Sequence, residues 1–103
     1  MIVGVCHLAL RFHDCRSLKD KRQRLKSIIG RVRNRFNVSA AEVAALDRWQ
    51  RAEVGIVAVG ADSAFVNSVL DRVLDYVEVL HTGEILDHDI EFITIKPPWA
   101  DFG

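Results

Sequence analysis

The stretch from residue 16 to residue 36 constrains the fold most, because it combines a helix start signal with a long helical periodicity. Ser17 followed by Asp20 has the spacing of an N-cap and an acidic third helical residue. At about 100° per residue the apolar side chains that follow fall on one stripe, namely Leu18, Leu25, Ile28, Ile29, Val32 and Phe36. The sequence therefore predicts an amphipathic helix that packs this stripe on other apolar surface.

Basic side chains lie on both sides of that stripe. The first flank consists of Lys19, Arg22, Lys26 and Arg33, and the second flank of Lys21, Arg24, Arg31 and Arg35. Cations in such positions can bind the phosphate backbone of RNA and supply affinity without reading its sequence. The alternative is a solvated helix whose cations pair with acids of a second helix, namely Asp71, Asp75 or Glu78. Both interpretations stay open at this point.

The charge of the whole chain is equally lopsided. The 103 residues have no net charge, yet residues 1–51 hold twelve Lys/Arg against four Asp/Glu, and residues 52–103 hold two against ten. An asymmetry of this kind indicates nucleic acid or an acidic partner. It is equally typical of a self-associating structural or small-ligand-binding domain whose two halves neutralise each other.

The chain is long enough for one hydrophobic core but not for two. No apolar run approaches the ~18 residues of a membrane span, and no basic leader precedes a hydrophobic segment. We therefore expect a cytoplasmic protein without a membrane partner, in which Cys6 and Cys15 are free thiols.

Four strands and two helices are predicted in the order β-α-β-β-α-β. The strands cover residues 2–12, 38–45, 52–59 and 84–95, the last one split or bent near Asp87–Asp89, and the second helix runs from a cap at Asp62 or Ser63 to Leu80. Gly83 is expected to take the left-handed conformation after that helix. The order predicts a ferredoxin-like α+β sandwich over residues 1–96, with a four-stranded antiparallel sheet and both helices on one face. Residues 97–103 form a proline-led tail.

The sheet face without helices is predicted to associate with a second copy, most simply as a dimer. The interface prediction comprises Val3, Val5, His7, Val57, Val59 and Trp99. The tail carries two aromatic residues, Trp99 and Phe102, which we expect to dock on this subunit or on a neighbour.

A second predicted contact with RNA lies at Arg48, Trp49 and Arg51, where an indole between arginines could stack on a base. The alternative for Trp49 is packing at the edge of the core or in a subunit contact. The sheet itself is a poor platform for base stacking, since residues 52–59 contain no aromatic side chain.

The sequence contains no pattern that predicts a metal site, a cofactor or catalysis. The four histidines, two cysteines and nearby acids lack a diagnostic zinc spacing. There is no phosphate-binding glycine-rich loop and no nucleophile with an evident base. We therefore expect a binding protein for RNA or a ribosomal particle, not an enzyme.

Two stretches resemble motifs of a known family. They are Arg-Ser-Leu-Lys-Asp-Lys-Arg at residues 16–22 and Trp-Gln-Arg-Ala-Glu-Val-Gly at residues 49–55. With residues 1–5, 35–39 and 69–73, they resemble the YlxP-like family of small bacterial proteins of unassigned function. The resemblance implies a ferredoxin-like fold, a cytoplasmic setting and genes near those of translation and ribosome maturation. It implies no reaction and no catalytic residues.

Overall fold

A computed structural model describes the backbone of residues 1–101 and the side chains of residues 1–99. The elements follow the predicted order: β1 (Ile2–Arg11), α1 (Leu18–Arg35), β2 (Ser39–Ala44), β3 (Arg51–Gly60), α2 (Ser63–Leu80) and β4 (Glu84–Thr94), followed by a short 3-10 helix (Pro98–Asp101). No helix in this part of the chain is long and apolar enough to cross a membrane.

The strands form one antiparallel sheet in the order β2-β3-β1-β4. Alternate side chains of β1 and β3 are buried under the two helices, while no helix or strand of residues 1–101 covers the other face of the sheet. In agreement with the helix spacing, Leu25, Ile28 and Val32 of α1 lie in the core. These features confirm the ferredoxin-like α+β sandwich.

Both helices begin at capping residues that the sequence indicated. The Ser17 hydroxyl accepts a hydrogen bond from the backbone N–H of Asp20 at 3.0 Å. Of the two candidates for α2, Asp62 is the N-cap, since its carboxylate accepts from the N–H of Phe65 at 2.9 Å. Each cap satisfies one of the N–H groups that a helix start leaves without a partner.

The core brings α2 very close to β1. A Cβ atom at Gly4 would lie 2.4 Å from Val66 Cγ1 and 2.9 Å from Leu70 Cδ1, so only glycine allows this approach. Cys6, on the same face of β1, is a buried free thiol. Its burial, with a smaller contribution from Asp89, raises its pKa from 9.0 to about 11. Cys6 is therefore an unreactive core residue.

Two local predictions were wrong. The left-handed residue after α2 is His81, with φ 53°, and not Gly83, since no glycine within residues 1–101 has a positive φ. Gly83 is instead required for packing, because a Cβ atom there would lie 2.9 Å from the ring of Phe12. The second is the split of β4, which is one continuous strand; the alternative of a bend agrees with an irregularity at Leu86, next to Asp87, where the register with β1 shifts.

The tail does not dock its first aromatic residue on this subunit. Trp99 is 71 % exposed, so the intramolecular alternative is wrong for this side chain. Docking of Trp99 on a neighbour stays a prediction. Phe102 lies outside the described residues.

Candidate nucleic-acid interface

The first flank of α1 lies on the side of the helix that faces away from α2. Three of its four side chains border a groove of about 410 Å³ between α1 and β2. Leu25, Ile29 and Gly30 also line this groove, while Arg22, Lys26 and Arg33 supply its cations. The sheet order explains the position, because α1 covers the β2 side of the sheet and α2 covers β1.

All four cations of the first flank are free. Lys19, Arg22, Lys26 and Arg33 are exposed, and none has an ion-pair partner among the residues that the structure describes. The carboxylate that reaches their groove, Glu42, is already bound to Lys21. The first flank therefore presents four positive charges that the fold leaves uncompensated.

Most cations of the second flank have partners within the fold. Arg24 donates to both carboxylate oxygens of Asp20 at 3.0 and 3.1 Å and to the carbonyl of His13 at 2.8 Å. The guanidinium of Arg35 lies 4.9 Å from the ring centre of Tyr76 on α2, a cation–π contact. Arg31 is exposed and has no ion-pair partner in the described part of the chain.

The helices meet through aromatic contacts and not through the ion pairs of the alternative interpretation. Phe36 and Tyr76 pack edge to face with 5.7 Å between ring centres, and Arg72 lies 5.9 Å from the ring of Phe36. Within residues 1–99, no ion pair joins a Lys or Arg of α1 to an acid of α2. Neutralisation of the basic helix by the acidic one is therefore not what the fold provides.

Lys21 is not a nucleic-acid contact, which corrects its place in the predicted set. The side chain is completely buried. Its ammonium donates to the carbonyls of Ala45, Leu46 and Arg51 at 2.8, 3.3 and 3.2 Å. Glu42 Oε2 lies 2.9 Å away in an ion pair. A buried charge needs partners of this kind, and a buried charge cannot reach RNA.

These contacts make Lys21 the anchor of the β2–β3 connection, residues 45–50. Ala45 has a left-handed backbone with φ 59°, a conformation that costs an L-residue about 1–2 kcal/mol. The ammonium of Lys21 holds the carbonyl of that residue. Gln50 adds a second link through its side-chain amide, which donates to the carbonyl of Cys15 at 3.3 Å. The two motif stretches, residues 16–22 and 49–55, thus contact each other.

The predicted Arg48, Trp49 and Arg51 lie together and line one cavity. Arg48 and Trp49 belong to the β2–β3 connection, and Arg51 is the first residue of β3. This cavity, the hairpin pocket, has a volume of about 490 Å³ and is lined by Arg11, Arg48, Trp49, Gln50, Arg51 and Leu86. Trp49 is 53 % exposed, so it is not buried in this subunit; packing at the edge of the core or in a subunit contact stays a prediction. The sequence did not indicate Arg11 as a neighbour of Arg51.

The open face of the sheet has an apolar end and a charged end. Val57, Val59 and Ile93 are 37 %, 50 % and 50 % exposed at the apolar end, where Val3 and Val5 are half-buried beside them. His7 lies at the middle and contacts Glu53, with 2.7 Å between Nε2 and Oε1. The four predicted valines therefore form one patch. Ile93 belongs to the same patch, and the sequence analysis did not name it.

No group of three or more His, Cys, Asp or Glu side chains within the described residues is placed to hold a metal ion. His13 contacts Glu84 and His7 contacts Glu53, each as a simple pair. The two cysteines are buried.

The protein is a small α+β sandwich that carries exposed cations on α1 and at the hairpin pocket. Residues 3–90 match the family described as "Protein of unknown function (DUF503)", and the chain belongs to this family. It is 39 % identical over 77 residues to the "Uncharacterized protein YlxP" of Bacillus subtilis (strain 168), covering 75 % of this chain and 84 % of that protein. The predicted resemblance to YlxP-like proteins is confirmed.

The chain is similar to "De novo designed protein Foldit4" with a TM-score of 0.49 and 15 % identity, over 92 % of this chain and 98 % of the other. A likeness at this level carries no argument about function.

Proposed function

We propose that this protein binds RNA through the first flank of α1, as a non-enzymatic protein of the cytoplasm. The observation that carries the proposal is the set of four exposed cations without carboxylate partners among the described residues, namely Lys19, Arg22, Lys26 and Arg33. They extend along about 21 Å of helix, which is long enough to contact several successive phosphates.

The contact we propose is with the RNA backbone. Lysine and arginine on a helix surface bind phosphate oxygens and release counterions, and this contact is independent of base sequence. β1 and β3, the central strands, contain no aromatic residue, which argues against base stacking on the sheet. A reducing compartment is supported by the two free, buried cysteines.

The test is binding of a labelled single-stranded RNA of mixed sequence, measured by filter retention over a range of KCl concentrations. Four phosphate contacts predict a slope of about −3 for the logarithm of the association constant against that of the salt concentration. Absence of binding at low salt, or binding that salt does not weaken, would remove the proposal.

We also infer that the apolar end of the open face binds a second copy of this chain. The exposed Val57, Val59 and Ile93 support it, because a two-fold contact covers the same patch on both subunits. An exposed apolar patch of this kind is typical of an interaction site.

Self-association predicts that Val59→Asp converts dimers to monomers at micromolar concentration, as measured by sedimentation equilibrium. Val79→Asp on α2 is the matched control, since Val79 is 70 % exposed but lies away from the sheet face; this variant should remain dimeric. A wild-type protein that is monomeric at high micromolar concentration would exclude this interface.

A further inference from the structure

We propose that the hairpin pocket binds one nucleotide, either free or as an unpaired residue of an RNA strand, with its phosphate on Arg11 and Arg51 and its base on Trp49. The inference rests on the proposed function for the class of polymer involved. It adds a site for a single residue of that polymer, on a different part of the molecule from the first flank.

The first support is a pair of arginines placed directly opposite each other. Arg11 on β1 and Arg51 on β3 are register partners. Like charges in this position destabilise a sheet, and neither arginine has an ion-pair partner among the described residues. Glu84, the register partner of Arg11 on β4, is bound to His13. An anion between the two guanidinium groups would remove the repulsion.

The second support is the exposed indole beside them. Trp49 lines the same cavity as both arginines, and an indole ring is a stacking surface for any base. The cavity volume of about 490 Å³ falls in the range of small-ligand sites, which is roughly 300–1,000 Å³. The two arginines, the indole and the cavity volume are therefore together suited to a nucleotide.

The third support is that the pocket is held in shape by buried contacts. The carbonyl of Arg51 accepts from the ammonium of Lys21 at 3.2 Å, and the carbonyl of Gln50 accepts from the N–H of Phe12 at 2.9 Å. These bonds hold the backbone at Gln50 and Arg51, the two residues that follow Trp49, before any ligand arrives. A site that is formed in advance loses less conformational entropy on binding.

The pocket also stays accessible if a second copy covers the valines. Val3 and Val59 are register partners at one end of β1, and Arg11 and Arg51 are partners at the other. Eight residues of strand separate the two ends by about 27 Å. The nucleotide site and the proposed subunit contact therefore do not compete.

The experiment follows Trp49 fluorescence in a Trp99→Phe background, which leaves Trp49 as the only tryptophan of the chain. Adenosine monophosphate should quench it with a saturating curve. Arg11→Gln/Arg51→Gln should raise the midpoint about tenfold or more, since hydrogen bonds to a charged phosphate are lost. Adenosine without phosphate should resemble that variant. Both arginines are exposed, so the variant should fold.

Two further arms separate the sources of the nucleotide. A single-stranded oligonucleotide that quenches at lower concentration than the monophosphate indicates an RNA residue, whereas a weaker oligonucleotide indicates a free nucleotide; either result supports the site. Absence of saturable quenching by both probes overturns it. So does equal quenching in the Arg11→Gln/Arg51→Gln variant, because the phosphate would then not be held by the two arginines.

The failure of this inference can be told from that of the proposed function. Salt-dependent RNA binding without quenching by either probe leaves the first flank in place and removes the pocket. Quenching by the monophosphate without salt-dependent binding of long RNA supports the pocket and removes the first flank as an RNA contact. The pocket is then a site for a free nucleotide.

Discussion

Replacing Lys21 by methionine is expected to lower the free energy of unfolding by about 3–5 kcal/mol, because removal of one partner of a buried ion pair leaves the other charge unpaired. Methionine fills a similar volume but leaves the carbonyls of Ala45, Leu46 and Arg51 without their donor. It also leaves Glu42, whose side chain is only 18 % exposed, without its cation. The loss is a large part of the ~5–15 kcal/mol that stabilises a typical domain.

Urea unfolding at equilibrium measures this loss, with Lys26→Met as the matched control. The two lysines lie on the same helix, but Lys26 is exposed, so the control should change stability by less than about 0.5 kcal/mol. Adding Glu42→Gln to Lys21→Met should recover part of the loss, because the orphaned charge is gone. A Lys21→Met protein as stable as the Lys26→Met protein would show that the anchor is unimportant.

Reversing two charges of the first flank is expected to weaken RNA binding strongly. Lys26→Glu/Arg33→Glu removes two of the four cations and places two carboxylates against the phosphates. Each of the two lost contacts and each of the two repulsive ones amounts to about 0.5–1 kcal/mol at an exposed site, so the affinity should fall roughly 30- to 1,000-fold at low salt. Filter retention of the same single-stranded RNA measures it, after circular dichroism has confirmed the fold.

The matched control is Arg31→Glu/Arg72→Glu, which makes the same change of net charge. Arg31 is on the second flank and Arg72 is on α2, beside Phe36. We expect a loss of less than about fivefold from this variant at physiological salt, because neither side chain belongs to the first flank and exposed charges that do not contact the phosphates are largely screened there. Equal losses in the two variants would mean that net charge, and not the first flank, attracts the RNA.

Much of the fold followed from local signals in the sequence. The periodicity from Leu18 to Phe36, the Ser17 cap and the apolar strands were sufficient for the element order, and the order left few allowed topologies. The cap geometry at Ser17 and the burial of Val32 are as predicted. These features depend on residues close in sequence, which is why they could be predicted.

Lys21 shows where local reasoning failed. Lys21, Leu25, Ile28 and Val32 recur at helical spacing and form the buried side of α1, so the position of Lys21 within the stripe was visible. Its side-chain type nevertheless favoured water. Its burial depends on three carbonyls and on Glu42, all of which belong to residues 42–51. These partners are distant in sequence, so no local pattern could predict them.

The sequence predicted only part of the hairpin pocket, because the rest depends on residues that are distant in sequence. Arg48, Trp49 and Arg51 are neighbours in sequence and were predicted together. Arg11 joins them through the register between β1 and β3. Hydrophobic alternation determines which face a strand buries but leaves shifts of two residues undetermined, so the pairing of Arg11 with Arg51 could not be predicted.

The salt dependence of RNA binding, compared between wild type and Lys26→Glu/Arg33→Glu, tests the central claim most directly. With four phosphate contacts reduced to two, the slope of the logarithmic plot should change from about −3 to about −1.4. A slope that is the same in both proteins would mean that the first flank makes no phosphate contacts, and it would contradict the account.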